Sequence, residues 1–577
     1  MTQANTPFTR GSARVLTVWD LVAVLLVLGT LVLLAQGSRG LLQPLPEPGF
    51  GAITLDPLAL PQYALLTSLR MLGAMVLSLL FTFTYATWAA KSRRAEQVLI
   101  PLLDILQSVP ILGFISVTVV FFMSLAPGRM LGAEMAAVFA IFTSQAWNMA
   151  FSFYQSLRTI PKELTEASRS FRLSPWMRFW KLEAPFAMPA LVWNMMMSMA
   201  GGWFFVVASE AISVGDTTVI LPGIGSYIAL AIAQRDLAAI FWAIGTMLVV
   251  ILIFDQLLFR PLVAWADRFR FEQGAGAPPP RSWVITMLRR SHLVARAVAP
   301  LANAWRRTYR PIADRPRPAP AAPKDAVVGK HWSDRLWYGA IAAICLAALW
   351  WIGTFVLEGV TLSEVGTAGL LGLATMVRVF VLIALASLIW VPVGVWLGLR
   401  PEAARIAQPI AQFMAAFPAN LLFPLAVSAI VVLGLDPDIW LSPLMILGTQ
   451  WYILFNVVAG ASTIPSELRD IGTNFHVKGW LWWRRIALPA VFPFYMTGAI
   501  TASGGSWNAS IVAEIATWGD TTLKAHGLGA YIAEATDAGD FHRIVLGIAV
   551  MSAFVVVINR AFWRPLYELA ERKFRLS

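Results

Sequence analysis

Twelve stretches of the chain are apolar over the roughly 20 residues that a helix needs to cross a bilayer core of about 30 Å. In approximate limits they are 16–36, 64–90, 99–126, 131–155, 185–212 and 236–259, then 335–357, 368–398, 406–434, 439–459, 487–512 and 541–563. Short polar segments separate them, and one long polar stretch divides the first six from the last six. The pattern predicts an all-α integral membrane protein.

Composition narrows the class. Of the 577 residues 58% are hydrophobic and only 13% charged, which excludes a water-soluble domain. Lys and Arg number 44 against 32 Asp and Glu, a net charge of +12. Joined to this hydrophobicity, the excess points to positive cytoplasmic loops on a membrane protein and not to a nucleic-acid binder. The single cysteine, Cys345, lies in an apolar run and excludes an intrachain disulfide or a Cys-based metal cluster.

Basic residues in short loops set the orientation. Arg10 and Arg14, then Lys91, Arg93 and Arg94, the segment 162–181, Arg400 and Arg405, the segment 478–485 and the tail 564–575 fall on one side. The alternate loops carry Glu358 and Glu364, or Asp436 and Asp438. Both termini are therefore expected in the cytoplasm. The first apolar stretch exceeds a signal-peptide core and has a counterpart at 335–357, so it reads as a span. Residues 264–332 hold nine prolines and thirteen Lys or Arg against four Asp or Glu, the composition of a cytoplasmic tether. Its middle, 283–305, alternatively reads as a basic amphipathic helix on anionic headgroups.

The second half repeats the first. Thr67-x-x-Arg70 matches Thr375-x-x-Arg378, and Pro101 and Pro110 match Pro409 and Pro418, at an offset of 308. Past a shortened loop the offset becomes 304 and holds. There Trp147 meets Trp451, Ile160-Pro161 meets Ile464-Pro465, Glu210 meets Glu514, Gly215-Asp216-Thr217-Thr218 meets Gly519-Asp520-Thr521-Thr522, and Gly223-x-Gly225 meets Gly527-x-Gly529. Each repeat has six spans, an even number, so both enter the membrane in the same direction. A pseudo-twofold axis along the membrane normal is expected, with a substrate path on it. The predicted organisation is a first half at 1–263, the linker 264–332 and a second half at 333–577.

The strongest local signal is the loop after the fourth span of each half, 160–185 and 464–489. It reads Ile160-Pro-Lys-Glu163-Leu-Thr-Glu166-Ala167-Ser168, three residues, Arg172, nine residues, Leu182-Glu-Ala-Pro185. The second copy reads Ile464-Pro-Ser-Glu467-Leu-Arg-Asp470-Ile471-Gly472, three residues, His476, nine residues, Ile486-Ala-Leu-Pro489. Proline suits a first helical turn and the acids after it suit the positive end of a helix, so a short helix along the inner face is predicted, with Pro185 and Pro489 starting the next spans.

These residues resemble the EAA loop of permease subunits in binding-protein-dependent ATP-binding-cassette (ABC) importers of the type I fold, whose pattern is Glu-Ala-Ala, three residues, Gly, nine residues, Ile-x-Leu-Pro. The resemblance covers about 60–262 and 368–566. The acid and Gly-x-Gly pairs, Glu210 with Gly223 and Gly225 and Glu514 with Gly527 and Gly529, resemble the nitrate, sulfonate and taurine group. Both copies depart from the pattern at the glycine, replaced by Arg172 and His476. Glycine there would permit φ > 0 between helical segments, so the turn is where a change of geometry is expected.

The resemblance implies a permease, not an enzyme, in a bacterial inner membrane: two tandem six-helix type I importer repeats that carry a small anionic solute. It implies two cytoplasmic ATP-binding subunits docked on the loops at Glu163, Glu166, Ala167, Ser168 and Arg172 and at Glu467, Asp470, Ile471, Gly472 and His476. It also implies an extracytoplasmic substrate-binding protein, and ATP and magnesium on the partners with no cofactor or metal on this chain. The sequence contains no G-x-x-x-x-G-K-[ST] loop and no catalytic constellation.

Ionisable residues within spans are candidate sites by default. Arg70 and Arg378, on second spans, either face the axis and attract an anion or pair with Glu210 and Glu514 of their own halves. Asn194 and Asn508, with Ser198, Ser503, Ser506, Gln107, Ser108 and Asn420, either line a polar path or bond helices together. The competing class is a self-contained twelve-span secondary transporter driven by an ion gradient, which has no need of paired cytoplasmic loops.

Overall fold

A computed structural model of the chain describes residues 53–108, 111–214, 217–269, 282–290, 300 and 330–574. The expected span 16–36, Arg10 and Arg14, and most of the linker lie outside the described residues. Among the described residues seven helices are long and apolar enough to cross a membrane: Pro57–Lys91, Pro175–Ser209, Leu237–Phe269, Leu336–Gly359, Leu362–Gly398, Gly479–Ala513 and Phe541–Ala570. Two bent pairs, Glu402–Ala416 with Ala419–Leu433 and Pro437–Ile446 with Gln450–Ser462, raise the number to nine. The expected span 131–155 falls on the 29-residue helix Met130–Arg158, and 99–126 is divided between Arg93–Ser108 and Ile111–Leu125. The chain is thus a membrane protein of helices, as its apolar pattern predicts.

Two spans expected to be continuous are broken. The first pair turns by 78° at Phe417, whose φ of −71° and ψ of 127° are the extended values that a residue before proline prefers. The second turns by 44° around Gly448, where an added Cβ would stand 3.3 Å from Ala419. The two breaks therefore face each other.

Pro185 and Pro489 do not start their spans, contrary to the sequence reading. Helix begins ten residues earlier, at Pro175 and Gly479, and runs through wide π-turns at Phe179–Glu183 and Trp483–Ala487. Two more π-turns, Asp255–Phe259 and Asn559–Trp563, also end two residues before a proline, Pro261 and Pro565. A proline inside a helix lacks an N–H and presses on the carbonyl four residues back, and one widened turn makes room for it.

Met130–Arg158 packs through small residues. Ala133, Ala136, Ala137 and Ala140 are buried in one cluster with Val119 and Leu221, and short side chains let the helix backbones approach. Two antiparallel hairpins interrupt the helices, β1 Ala211–Val214 with β2 Thr217–Ile220 and β3 Ile515–Trp518 with β4 Thr521–Lys524. They hold the repeated Gly-Asp-Thr-Thr sequence; Gly215 and Asp216 lie outside the described residues, whereas Gly519 makes the turn at φ 58°.

Contacts group the chain into two compact units. One includes 160–189 and 254–318; in it the linker segment Trp283–Arg290 is helical and buries Val284 and Met287. The other includes 39–159, 190–253 and 319–577 and holds most of the helices.

Candidate functional site

The two loop motifs form matching helices, Lys162–Ser170 and Ser466–Asn474. Pro161 is the residue before the first, with extended ψ of 140°, and not its first helical residue. Glu163 and Glu467 lie in the first turns, where their charge complements the unpaired backbone N–H groups. Glu163, Glu166, Ala167, Glu467 and Asp470 are exposed, whereas Ser168 and its counterpart Gly472 are buried. A Cβ on Gly472 would stand 2.9 Å from Ile486, so a glycine suits this contact. Ile471 lies on the second helix with its side chain outside the described set.

Both helices end in the same turn. Arg172 has φ of 51° and His476 φ of 53°, the left-handed conformation that favours glycine, at positions without one. The amide of Leu173 donates to the Ser168 carbonyl (3.1 Å) and that of Val477 to the Gly472 carbonyl (2.8 Å), which closes each helix end. Both turns are therefore left-handed without a glycine, at a strain of about 1–2 kcal/mol per residue. Beside it, Phe171 and Phe475 are 78% and 77% exposed. The sequence reading assigned them no role, although the same aromatic stands before the turn in both copies.

A second repeated constellation is buried. Thr67 donates to Glu210 Oε1 (2.7 Å), as does Arg70 Nη1 (2.6 Å), and the amide of Gly225 donates to Glu210 Oε2 (2.7 Å). Thr67 in turn accepts from the amide of Ile224 (3.1 Å). In the other half Thr375 (2.7 Å) and Arg378 Nη1 (3.1 Å) donate to Glu514 Oε1, the amide of Gly529 donates to Oε2 (2.7 Å), and that of Leu528 donates to Thr375 (2.9 Å). The glycines are required by the close approach. A Cβ on Gly223 or Gly527 would stand 2.3 or 2.2 Å from the glutamate Cδ, and one on Gly225 2.1 Å from the Val207 carbonyl. Each arginine thus meets the glutamate of its own half.

Each arginine also has a second acid that the sequence reading missed. Glu134 accepts from Arg70 Nε and Nη2, both at 2.6 Å. Its counterpart Asp438 accepts from Arg378 Nη2 (2.7 Å) and from the amide (2.6 Å) and Nδ1 (2.8 Å) of His526. Glu134 and Asp438 stand at the repeat offset of 304, which was the available signal.

A cavity of about 340 Å³ lies among residues of both halves. Gln107, Ser198, Ser503 and Asn508 line it, and Arg70, Arg378, Glu210, Glu514 and Asn194 do not. Asn508 accepts from the amide of Ile111 (2.7 Å) and so ties the halves together. Asn194 donates to Ser152 (2.8 Å) and to the Ala190 carbonyl (3.0 Å) within its own half. Asn420 donates to the Phe204 carbonyl (3.1 Å) and Ser506 bonds Thr449 (3.1 Å); the Ser108 side chain lies outside the described set.

Comparison with known proteins identifies the family. The bicarbonate transport system permease protein CmpB of Synechococcus elongatus is 26% identical over 189 residues, 33% of this chain and 64% of the relative. The glycine betaine/carnitine transport permease protein GbuB of Listeria monocytogenes is 26% identical over 188 residues, 32% of this chain and 61% of that protein. The nitrate import permease protein NrtB of Leptolyngbya laminosa is 23% identical over 186 residues, 32% and 63% of the two chains. Each match spans less than two thirds of the relative's own length. The family model of the binding-protein-dependent transport system inner membrane component matches twice, over residues 82–268 and 390–575. These two matches cover more than half of the chain, which therefore belongs to that family, as a duplicated permease of the type I ABC transporters.

Proposed function

We propose that this chain supplies both halves of the translocation path of an ATP-driven importer for a small anionic solute. Two cytoplasmic ATP-binding subunits dock on Lys162–Ser170 and Ser466–Asn474, and ATP and magnesium are bound by those subunits and not by this chain. An extracytoplasmic binding protein delivers the solute. The loops rich in Lys and Arg, with both termini, face the cytoplasm. Relatives named for bicarbonate and nitrate support the anionic class.

The observation that carries the coupling role is the pair of matching helices, each with two acidic side chains exposed, ending in the same left-handed turn beside an exposed phenylalanine. A plain connecting loop has no need of a left-handed arginine or histidine, nor of a large exposed apolar side chain at the same place in both copies. Both features suit a knob that enters a cleft, with the aromatic as anchor.

The test is to purify the tagged full chain from its native membrane under mild conditions and to identify its companions. An ATP-binding subunit should co-purify, and it should be lost from the Glu166→Lys, Asp470→Lys double variant. A chain that purifies alone in both forms contradicts the proposal.

A further inference from the structure

The two hairpins hold the repeated Gly-Asp-Thr-Thr sequence, and neither the docking helices nor the buried ion networks include any of its residues. Each hairpin packs on a short helix of the other half, β3 on Ile224–Ala233 and β1 on Leu528–Asp537. The hairpin β3–β4 follows the end of Gly479–Ala513 that is remote from the basic segment 478–485. With the basic loops in the cytoplasm, it lies at the outer face.

The contact between β3–β4 and the first half is specific. The carbonyl of Ile232 accepts from the amide of Gly519 (3.1 Å) as well as from that of Arg235 (3.1 Å). Beside this bond Arg235 Nη2 donates to Asp520 Oδ2 (3.1 Å). Glycine is required at 519, where φ is 58° and an added Cβ would stand 1.9 Å from Arg235 Nε.

Arg235 is itself left-handed, with φ of 56°, in the turn where the Asp236 amide donates to the Ala231 carbonyl (2.9 Å) and closes Ile224–Ala233. The second half closes Leu528–Asp537 by the same bond, Asp540 to Ala535 (2.9 Å), but has Gly539, φ 66°, at the left-handed position. The first half thus keeps a strained side chain where its copy has the residue that carries no strain. That side chain is the one that reaches the other half, and strain of this kind marks a position held for function.

A solute delivered from outside enters only when the outer ends of the halves part, by one repeat rocking against the other. The Gly519–Ile232 and Arg235–Asp520 bonds join the halves and break in that motion. Arg235 is 50% exposed and Asp520 fully exposed, so their ion pair is a weak contact, as suits a closure that opens in every cycle. Resting on the reading of this chain as an ATP-driven importer, we propose that the hairpin β3–β4, seated on Ile224–Ala233, is an outer gate of the path and that Arg235 with Asp520 is its latch. The latch is one-sided, because the equivalent of Arg235 at the other crossing is Gly539, which offers Asp216 no cation.

The latch is tested on the full chain with its co-purified ATP-binding subunits in lipid nanodiscs, without binding protein. Removing a contact that only the closed state makes shifts the equilibrium towards opening. Arg235→Gly and Asp520→Ala should each raise basal ATP hydrolysis about two- to fivefold, the factor that an exposed ion pair is worth. The thermal midpoint should not fall in Arg235→Gly, because glycine adopts φ of 56° freely. Hydrolysis at the parent rate in either variant overturns the latch. The gate is tested in proteoliposomes that also hold the binding protein, with Arg235→Cys and Asp520→Cys joined by a short reducible bis-thiosulfonate linker in a Cys345→Ser background. Uptake should be lost on linking and return on reduction, while each single-cysteine variant treated alike retains it. Uptake at the parent rate through the linked chain overturns the gate. Absence of ATP-dependent uptake by the unlinked parent overturns the importer reading beneath it instead.

Discussion

Arg70 and Arg378 occupy equivalent positions but are gripped differently. Glu134 is long enough to take both Nε and Nη2 of Arg70, whereas Asp438, one methylene shorter, takes only Nη2 of Arg378 and bonds His526 as well. The first network is also the drier, with Arg70 4% and Arg378 14% exposed. Removing one partner of a buried ion pair leaves an uncompensated charge, a loss of about 3–5 kcal/mol. Glu210→Ala is accordingly expected to lower the thermal midpoint of the purified chain by more than Glu514→Ala does, and equal shifts would contradict this ranking. The strained turns give a second expectation at this scale. His476→Gly should relieve up to about 1–2 kcal/mol of this strain in the same unfolding measurement, because glycine adopts φ of 53° freely, whereas His476→Val should give no such gain. Part of this chemistry was legible in the sequence. The Thr-x-x-Arg, Glu and Gly-x-Gly repeats stood at fixed offsets, and the arginine–glutamate pairing was one of two readings they allowed. Glu134 was harder to read: it shares the repeat offset with Asp438, but the counterpart is a different acid and its partner Arg70 lies 64 residues away in sequence.

At the scale of elements, the apolar pattern located helices well and their interruptions poorly. Hydropathy averages over a window, so it passes across Phe417-Pro418 without registering the 78° bend that local sterics impose there. Likewise a proline near the start of an apolar run reads as a helix start, whereas the wide turns at Phe179–Glu183 and Trp483–Ala487 let helix continue through it. The hairpins escaped notice because four-residue strands carry little periodicity. The two docking helices were legible, since proline, early acids and an invariant length to the next proline recur in both copies. Their residues differ, Glu166-Ala167-Ser168 against Asp470-Ile471-Gly472, so the two ATPase contacts are expected to be unequal. Charge reversal at Glu166 and at Asp470, made singly, should reduce transport by different factors, and equal losses would count against unequal docking. Phe171→Ala with Phe475→Ala should release the ATP-binding subunit while leaving the unfolding midpoint unchanged, because neither ring is buried within the chain. Retention of the subunit would remove the anchor role.

Among the described residues, duplication supplies two matching loop helices, two buried ion networks and a cavity lined from both halves. A single chain can thereby depart from strict symmetry at each pair, as it does at Glu134 and Asp438 and at Arg172 and His476. The central claim is that transport through this path is driven by ATP hydrolysed on partner subunits and not by an ion gradient. The most direct measurement is solute uptake into proteoliposomes that hold the chain with its co-purified ATP-binding subunits and binding protein. Uptake is expected to require ATP on the face bearing the docking helices and to persist when ionophores collapse every ion gradient. Accumulation by the chain alone, driven by an ion gradient without ATP, would contradict the account.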